Sequence, residues 1–351
     1  MKILAVDTSA DDTSAAVVEG RRVLSHVEYS QISLHTQWGG IFPSVAKRAH
    51  QERIDWVINK AISKVETRHA SSLQNIDAFA VTYGPGLAIA LEVGINKIIS
   101  LAQEHNKPVV GVNHMEGHLY SSFVQNSKGN PKREFAFPYL GLLISGGHTE
   151  LILFTDHLKY EILGATLDDA AGESLDKAAR MLGFGYPGGP IIEKLAHDVN
   201  NIDTYSFPRP MNKPDNINFS FSGLKTSFLY FTRKMSEEER VNKIAYLASS
   251  FQEAVFQSVA RKVELAVLKT GAKRIVVGGG VSVNERLRYL VRHIAAKYDG
   301  SVYFPPYKYL NFDNAAMIGV AASFRAEKGM FVKDFAELDR KPRLSLKDST
   351  I

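Results

Sequence analysis

One structural plan is written twice in this chain. At residues 2 to 30, the apolar run Ile3 to Val6 leads into a polar turn, Asp7-Thr-Ser-Ala-Asp-Asp-Thr-Ser. A second run, Ala15 to Val18, follows, then a Glu-Gly-Arg-Arg turn and a third extended stretch, Val23 to Tyr29. At residues 139 to 166 the plan returns: Tyr-Leu-Gly-Leu-Leu-Ile, the turn Ser-Gly-Gly-His-Thr-Glu, then Leu-Ile-Leu-Phe, then Tyr160 to Ala165. Short apolar runs bounded by turn residues read as strands. Two copies of strand, turn, strand, strand predict a duplicated domain, and a length of 351 residues suits two domains. The first turn can hold phosphate through backbone N–H groups and hydroxyls, with Asp7 at a strand end positioning a metal or water; an ordinary polar hairpin is the competing reading. The Ser-Gly-Gly turn is bare of side chains, so a ligand can approach its backbone closely.

Helical patterns fill the space between and after the copies. Ile54, Val57, Ile58, Ala61, Ile62 and Val65 have helical spacing within residues 46 to 66. Ile76 to Tyr83 reads as a strand, Gly84-Pro-Gly86 as a sharp turn, and Ala88 to Glu104 as a helix ending before Lys107-Pro108. Residues 125 to 138 are polar with Gly and Pro, which predicts a loop or linker. In the second half, a helix is expected over Gly172 to Leu182, with Glu173, Asp176 and Lys177 on a charged face. A rigid Gly-rich turn spans 183 to 190, irregular chain spans 200 to 225, and a long helical stretch spans Glu237 to Thr270. Arg274 to Val281 is a buried strand entering a Gly-rich turn, and Asn284 opens a helix to Tyr298. That unit is a generic nucleotide element, but it lacks the GxGxxG spacing of a dinucleotide site. Ser301 to Phe304 is a short strand, and a last helix opens at Asn311-Phe-Asp313-Asn314 and runs through Arg325.

The densest chemistry lies in Val-Val-Gly-Val-Asn-His-Met-Glu-Gly-His-Leu-Tyr-Ser-Ser-Phe, residues 109 to 123. A strand over Val109 to Val112 runs into a helix carrying His114 and His118 one turn apart. Two imidazoles so placed can share a metal ion at the carboxyl edge of an α/β sheet. A zincin protease needs Glu directly after the first His; Met115 stands there and Glu116 comes one later, so a peptidase of that type is disfavoured. A third ligand is required. Asp313 is a candidate, and its type also suits the N-cap of the last helix.

The bulk properties narrow the classes. Residues are 45% hydrophobic and 23% charged, enough for ordinary globular cores. No apolar run is long enough to span a bilayer, and the N-terminus does not read as a signal peptide. Cysteine is absent, which excludes disulfides and thiolate metal sites. These features favour the cytoplasm. A net charge of +5 and a pI near 9.1 are compatible with a nucleic-acid partner. Lys47, Arg48, Arg53, Lys128, Lys132 and Arg133 are candidate phosphate contacts, each also readable as a solvated charge.

These segments, in this order, resemble one family: the TsaD enzymes, which install threonylcarbamoyl on tRNA adenosine. The bacterial branch fits best, and the catalytic subunit of the archaeal and eukaryotic KEOPS assembly is a relative. The resemblance rests on Asp-Thr-Ser at 7 to 9, Gly-Gly-Ile-Phe-Pro-Ser-Val-Ala-Lys-Arg-Ala-His at 39 to 50, and Gly-Pro-Gly-Leu at 84 to 87. It continues in His-Met-Glu-Gly-His at 114 to 118, Ile-Ser-Gly-Gly-His-Thr at 144 to 149, and Asp-Asp-Ala-Ala-Gly-Glu-Ser-Leu-Asp-Lys at 168 to 177. Tyr-Pro-Gly-Gly-Pro at 186 to 190, Asn-Phe-Ser-Phe-Ser-Gly-Leu-Lys-Thr at 218 to 226, Gly-Gly-Val-Ser-Val-Asn at 279 to 284 and Asp-Asn-Ala-Ala-Met-Ile at 313 to 318 complete it.

The resemblance implies an actin/sugar-kinase/Hsp70 (ASKHA) fold: two RNase-H-like halves with a central cleft. The first half would comprise 1–112 and 311–335, a metal-site helix and linker 113–138, the second half 139–310, and a basic or disordered tail 336–351. One divalent metal, Fe2+ or else zinc, would be held by His114, His118 and Asp313. Threonylcarbamoyl-AMP would lie along Ile144, Ser145, Gly146, Gly147 and His148, with Asp176, Gly189 and Asn284 around the adenylate. The amine of adenosine would attack the carbamoyl carbon and AMP would leave, with Asp11 a candidate to orient or deprotonate that amine. Implied partners are tRNA, a TsaB-like paralogue, a TsaE-like ATPase, and a TsaC-like enzyme supplying the adenylate. Two places depart from the family pattern: Ala10-Asp11-Asp12 stands for the usual Cys-Asp-Glu, and Ser44 for the usual Glu. A metal-dependent peptidase, an ASKHA-type small-molecule kinase and a non-catalytic assembly subunit are the alternatives.

Overall fold

The computed structural model describes residues 1–69, 73–211 and 216–349, with side chains of 66–69 excepted. In chain order the elements begin β1 (Lys2–Asp7), β2 (Asp12–Glu19), β3 (Arg22–Ser30), α1 (Ile32–His35), α2 (Pro43–His69), β4 (Ala78–Gly84), α3 (Ala88–His105), β5 (Val109–Asn113) and α4 (His114–Tyr120). Next come β6 (Tyr139–Ile144), β7 (Thr149–Asp156), β8 (Lys159–Ala165), α5 (Ala171–Met181), α6 (Gly189–Asp198), α7 (Ser222–Arg233), α8 (Glu237–Asn242) and α9 (Ile244–Thr270). The last are β9 (Arg274–Gly278), α10 (Glu285–Lys297), β10 (Ser301–Tyr303) and α11 (Ala315–Glu327). They fall into two compact units, Met1–Phe135 with the chain from Pro305 onward, and Ala136–Phe304.

The expected duplication is present strand for strand. The first sheet runs β3-β2-β1-β4-β5 and the second β8-β7-β6-β9-β10. In each, the three leading strands pair antiparallel and the last two add parallel to the first. Parallel strands are covered on both faces, which is why β4, β5 and β6 are buried along their whole length.

Strand alternation divides the first unit's core. Leu4, Val6, Ala15 and Val17 share a cluster with Val57, Ile58 and Ala61 of α2 and with Leu91 and Ile98 of α3. The opposite face presents Ala5 and Val18 to α11, where a Cβ on Gly319 would lie 2.8 and 2.9 Å from the Val18 methyls and 3.2 Å from Ala5 Cβ. In the second unit Leu140, Leu142 and Ile144 pack with Phe251, Val255 and Val259 of α9, Leu175 of α5, Phe228 of α7 and Val291 of α10.

Four segments differ from their expected form. The Gly-rich turn ends at Gly188, two residues early, because α6 begins at Gly189 with Pro190 in its first turn, where its missing N–H is harmless. The irregular stretch ends four residues early because α7 starts at Ser222, burying Leu224, Phe228 and Thr232 on one stripe. The long helix breaks at Lys243 (φ −107°, ψ 7°), and its first piece is fixed by a Ser236–Glu239 capping box. The stretch expected as a basic or disordered tail is packed down instead: Lys341 N–H donates to the Tyr83 carbonyl at 2.7 Å, and Leu344 and Leu346 are buried. The expected linker is likewise anchored near its start, where Asn126 donates to Tyr307 Oη at 2.8 Å. No helix among the described residues is long and apolar enough to cross a membrane.

The close approach of α11 to β1 and β2 yields a test. Gly319→Val should destabilise the protein by about 1–3 kcal/mol through overpacking, read as a lower urea midpoint at unchanged m-value.

Candidate functional site

The first cluster is built where parallel strands end. β5 delivers Asn113, whose side chain accepts from Met115 N–H at 2.8 Å and so starts α4 at His114. One turn later comes His118, and the two rings meet edge to face with centroids 4.7 Å apart. From the other side, Asn314 caps α11 by accepting from Met317 N–H. Asp313 therefore does not serve as that helix's cap, and its carboxylate is left to face the two histidines. Its Oδ1 lies 3.2 Å from His114 Nε2 and 3.3 Å from His118 Nε2. His114, His118 and Asp313 offer ligand atoms all within 4.8 Å of one another.

Electrostatics and orphaned atoms favour a cation here. His118 is buried, and among the described residues neither ring nitrogen makes a well-formed hydrogen bond, Asp313 Oδ1 approaching Nε2 only as an ion-pair contact at 3.3 Å. Burial holds its pKa below the usual imidazole value. Burial also works against a charged His114, but the Asp313 and Asp7 carboxylates outweigh it and carry its pKa up to about 10. Against the same burial, the two histidines pull Asp313 below the usual carboxylate range. Behind His114, its Nδ1 lies 3.1 Å from Ser9 Oγ and 3.6 Å from Asp7 Oδ2. A carboxylate and hydroxyl at Nδ1 fix the ring and leave Nε2 to face the ligand position. Bonds of about 2.0–2.1 Å in a tetrahedral site set ligand atoms roughly 3.3 Å apart, close to the separation of Asp313 from each histidine. The residues fit a divalent metal with two nitrogens and one carboxylate. Asp7 was read as a strand-end group able to position a metal; the contribution of Ser9 was not read.

The second unit repeats the architecture at the carboxyl ends of β6 and β9. Ser145, Gly146, Gly147 and His148 form the turn after Ile144, closed by Ser145 N–H to the His148 carbonyl at 2.8 Å and His148 N–H to Ser145 Oγ at 3.1 Å. Gly146 and Gly147 are exposed, and a Cβ on either would meet nothing within 4 Å. The start of α5 abuts this turn so closely that a Cβ on Gly172 would lie 2.6 Å from the Ser145 carbonyl oxygen. Asp176 accepts from Gly188 N–H at 2.7 Å and Gly189 N–H at 3.1 Å, holding the entry to α6. Asn284 caps α10, accepting from Arg286 and Leu287 N–H while donating to Gln252 at 2.9 Å. The side chain of Asn284, which the family resemblance sets near the adenylate, is thus engaged in holding the start of α10. A cavity of about 260 Å³ lies beside these residues, lined by Glu193, His197, Asn201, Glu285, Arg286 and Tyr289.

Comparison with known proteins decides the family. The profile of TsaD, tRNA N6-adenosine threonylcarbamoyltransferase, matches residues 22–320. The chain belongs to this family. A relative from Endomicrobium trichonymphae of that description is 44% identical over 351 residues, spanning 99% of both chains. One from Kosmotoga olearia is 43% identical over 331 residues, covering 94% of this chain and 95% of its own. Among solved structures, full-length HypF aligns at TM-score 0.62 and 12% identity over 94% of this chain and 46% of its own. Component A of (R)-2-hydroxyglutaryl-CoA dehydratase from Acidaminococcus fermentans aligns at 0.51 and 14% over 93% and 99%. At such identities the likeness shows the fold alone, which is of the ASKHA type.

Family membership also bears on the peptidase alternative, and so does geometry. Glu116 is buried and bonded to Arg325 at 2.7 and 3.0 Å, so it is not a base poised beside the histidines. Of the two departures in the first hairpin, Ala10 contributes its carbonyl, which His50 Nε2 meets at 3.0 Å, so the side chain is not what this contact needs. Asp12 is buried; burial first, then the neighbouring Asp11 carboxylate, push its pKa up to about 8. Asp11 is half-buried, and its carbonyl accepts from Gln31 N–H. Ser44 is exposed at the start of α2. Of the basic candidates, Arg48, Arg53, Lys128 and Lys132 are exposed, with Arg53 stacked over Tyr29 at 4.7 Å. Lys47 pairs with Glu92 at 2.9 Å, and Arg133 donates to the Ser122 carbonyl at 2.6 Å.

Two outcomes are expected. Elemental analysis should find about one metal per parent chain and none in the His114→Ala/His118→Ala variant. The raised Asp12 pKa makes its contribution to stability fully present below the unfolded value of 3.8 and lost as pH rises through about 8. In chelator-treated protein, Asp12→Asn should therefore lose less stability than the parent between about pH 4 and pH 8, measured by denaturant titration at each pH.

Proposed function

We propose that this protein transfers the threonylcarbamoyl group from threonylcarbamoyl-AMP to the N6 amine of adenosine next to the anticodon, in tRNAs reading codons that begin with A, releasing AMP. The observation that carries the reading is the convergence of His114, His118 and Asp313 within 4.8 Å in a chain of this family. The bare Ser145–His148 turn binds the adenylate, because its exposed glycines admit a nucleotide against backbone N–H groups. Asp176 and Gly189 shape the adenylate pocket through their mutual hydrogen bond, and Asn284 holds the start of α10 beside it.

A divalent cation on His114, His118 and Asp313, iron(II) in our reading and zinc as the alternative that the same donors accept, supplies Lewis acidity toward the threonylcarbamoyl carbonyl. Asp7 and Ser9 keep the His114 ring oriented for that duty. Asp11 orients the incoming amine or takes its proton. The tRNA backbone is met by exposed Arg48, Arg53, Lys128 and Lys132. A TsaB-like paralogue and a TsaE-like ATPase complete the working assembly, and a TsaC-like enzyme supplies the adenylate.

Reconstitution with these partners, threonine, bicarbonate, ATP and tRNA, followed by nucleoside chromatography, should yield threonylcarbamoyladenosine. Asp313→Ala should lower turnover by about 100-fold or more, the loss expected when Lewis-acid stabilisation of several kcal/mol is removed. Formation of product at the parent rate by Asp313→Ala would overturn the role of the site; absence of product from the parent would overturn the function.

A further inference from the structure

The face of α4 turned away from the two histidines carries a second construction. An isolated helix of seven residues lies below the length at which helices are even marginally stable in water. What holds α4, and with it both histidines, must come from outside the helix. Glu116 stands two residues from each histidine, about 200° around the helix from their shared face, and is fully buried. Arg325 of α11, also buried, grips both its carboxylate oxygens, Nε at 2.7 Å and Nη2 at 3.0 Å. The same Nη2 donates to the Ser349 carbonyl at 2.6 Å. Asn113, the cap of α4, donates to Ser349 Oγ at 2.9 Å and to the Ser345 carbonyl at 3.2 Å. Gly117 completes the contact: a Cβ there would lie 2.8 Å from Ile318 Cδ1.

The two elements joined by this link are those that carry the metal ligands. His114 and His118 sit on α4, and Asp313 immediately precedes the helix that bears Arg325. We infer that Glu116, Arg325 and the C-terminal segment 341–349 latched onto them are positioning elements for the metal centre, setting the spacing of the histidine pair against Asp313. The inference rests on the reading of that cluster as a metal site. It assigns a duty to the Glu of His-Met-Glu-Gly-His and to a terminal segment that otherwise reads as a tail.

Zn2+ affinity separates positioning from plain stabilisation. Competition with a chromophoric chelator would be run on the parent, Glu116→Gln, Asn113→Ser, and a chain ended after Leu344, each with its apo melting temperature. Asn113→Ser keeps a capping oxygen but is too short to reach the tail. Val57→Ala, in the core between the sheet and α2, is the control for stability loss alone. Binding should weaken by roughly 10- to 100-fold in the three link variants, as for outer-shell partners of metal ligands, and stay at the parent value in Val57→Ala. Should Glu116→Gln fail to fold, because a buried charge is left unpaired, the other two variants decide. Parental affinity in every folded link variant, or equal weakening in Val57→Ala, overturns the inference. A folded parent that takes up no Zn2+ removes the metal reading and this inference with it.

Discussion

Parallel pairing is the constraint from which the sites follow. Three strands running the same way release the chain at one sheet edge, and burial on both faces disfavours polar groups along them. Polar chemistry therefore gathers at the last residue of each strand and just beyond it. In the first unit this places Asp7 at the end of β1 and Asn113-His114 at the end of β5, on the same edge. In the second it places Ser145 after β6 and Gly279 after β9 together, so close that a Cβ on Gly279 would clash with the Ile144 backbone. Duplication then delivers the same geometry twice, and each copy carries a different chemistry: titratable side chains in one, bare backbone in the other.

That division has an electrostatic logic. The first edge gathers Asp7, Asp12 and Asp313, with Glu28 near enough for burial and then the Asp313 charge to raise its pKa. Buried carboxylates repel one another unless a cation or a proton intervenes. His114 is drawn into carrying that charge, which is why its pKa rises although it is buried. At His118, one turn away on the same helix, burial outweighs the pull of Asp313, and the pKa stays below the usual imidazole value. A divalent ion relieves all of these groups at once, which a single imidazolium does not. The second edge needs no such charge: exposed glycine amides and hydroxyls suit a group that brings its own negative charge.

Much of this was legible in the sequence, for identifiable reasons. The strand triplets announce themselves because turn residues bracket short apolar runs: β1 and β3 fall within one residue of their predicted ends, and β2 starts three residues earlier than its apolar run, at Asp12. The histidine pair is visible because i,i+4 spacing is local. The fates of Asp313 and Glu116 are not local. Asp313 and Asn314 are both good capping residues, and only the three-dimensional path of the preceding chain decides that Asn314 turns inward to Met317. Glu116 meets a residue 209 positions away; no spacing rule reaches that far. The terminal segment misleads for a related reason. Its Arg-Lys-Pro-Arg composition describes a solvated tail, while its docking runs through the backbone, as in Lys341 N–H to Tyr83 and Gly86 N–H to Pro342. Backbone hydrogen bonds leave no trace in composition.

The departures from the family pattern can be weighed on the same terms. At position 10 the structure uses the carbonyl, bonded to His50, whose other nitrogen lies 2.7 Å from Thr13 Oγ1 and 3.2 Å from Gln31 Nε2. Gln31 in turn meets His35, whose Nδ1 accepts from Phe42 N–H. A chain of buried polar contacts thus ties the first hairpin to the entry of α2, where Ser44 stands in place of the family's usual Glu. None of these links passes through the side chain of Ala10 or Ser44, so both substitutions leave the scaffold of the hairpin intact. Asp12 is different. It is buried beside Asp11, and one of its carboxylate oxygens has no hydrogen-bond partner among the described residues. A carboxyl group one methylene shorter than that of Glu reaches less far from the hairpin, so of the three changes it is Asp12 that alters the reach of a titratable group.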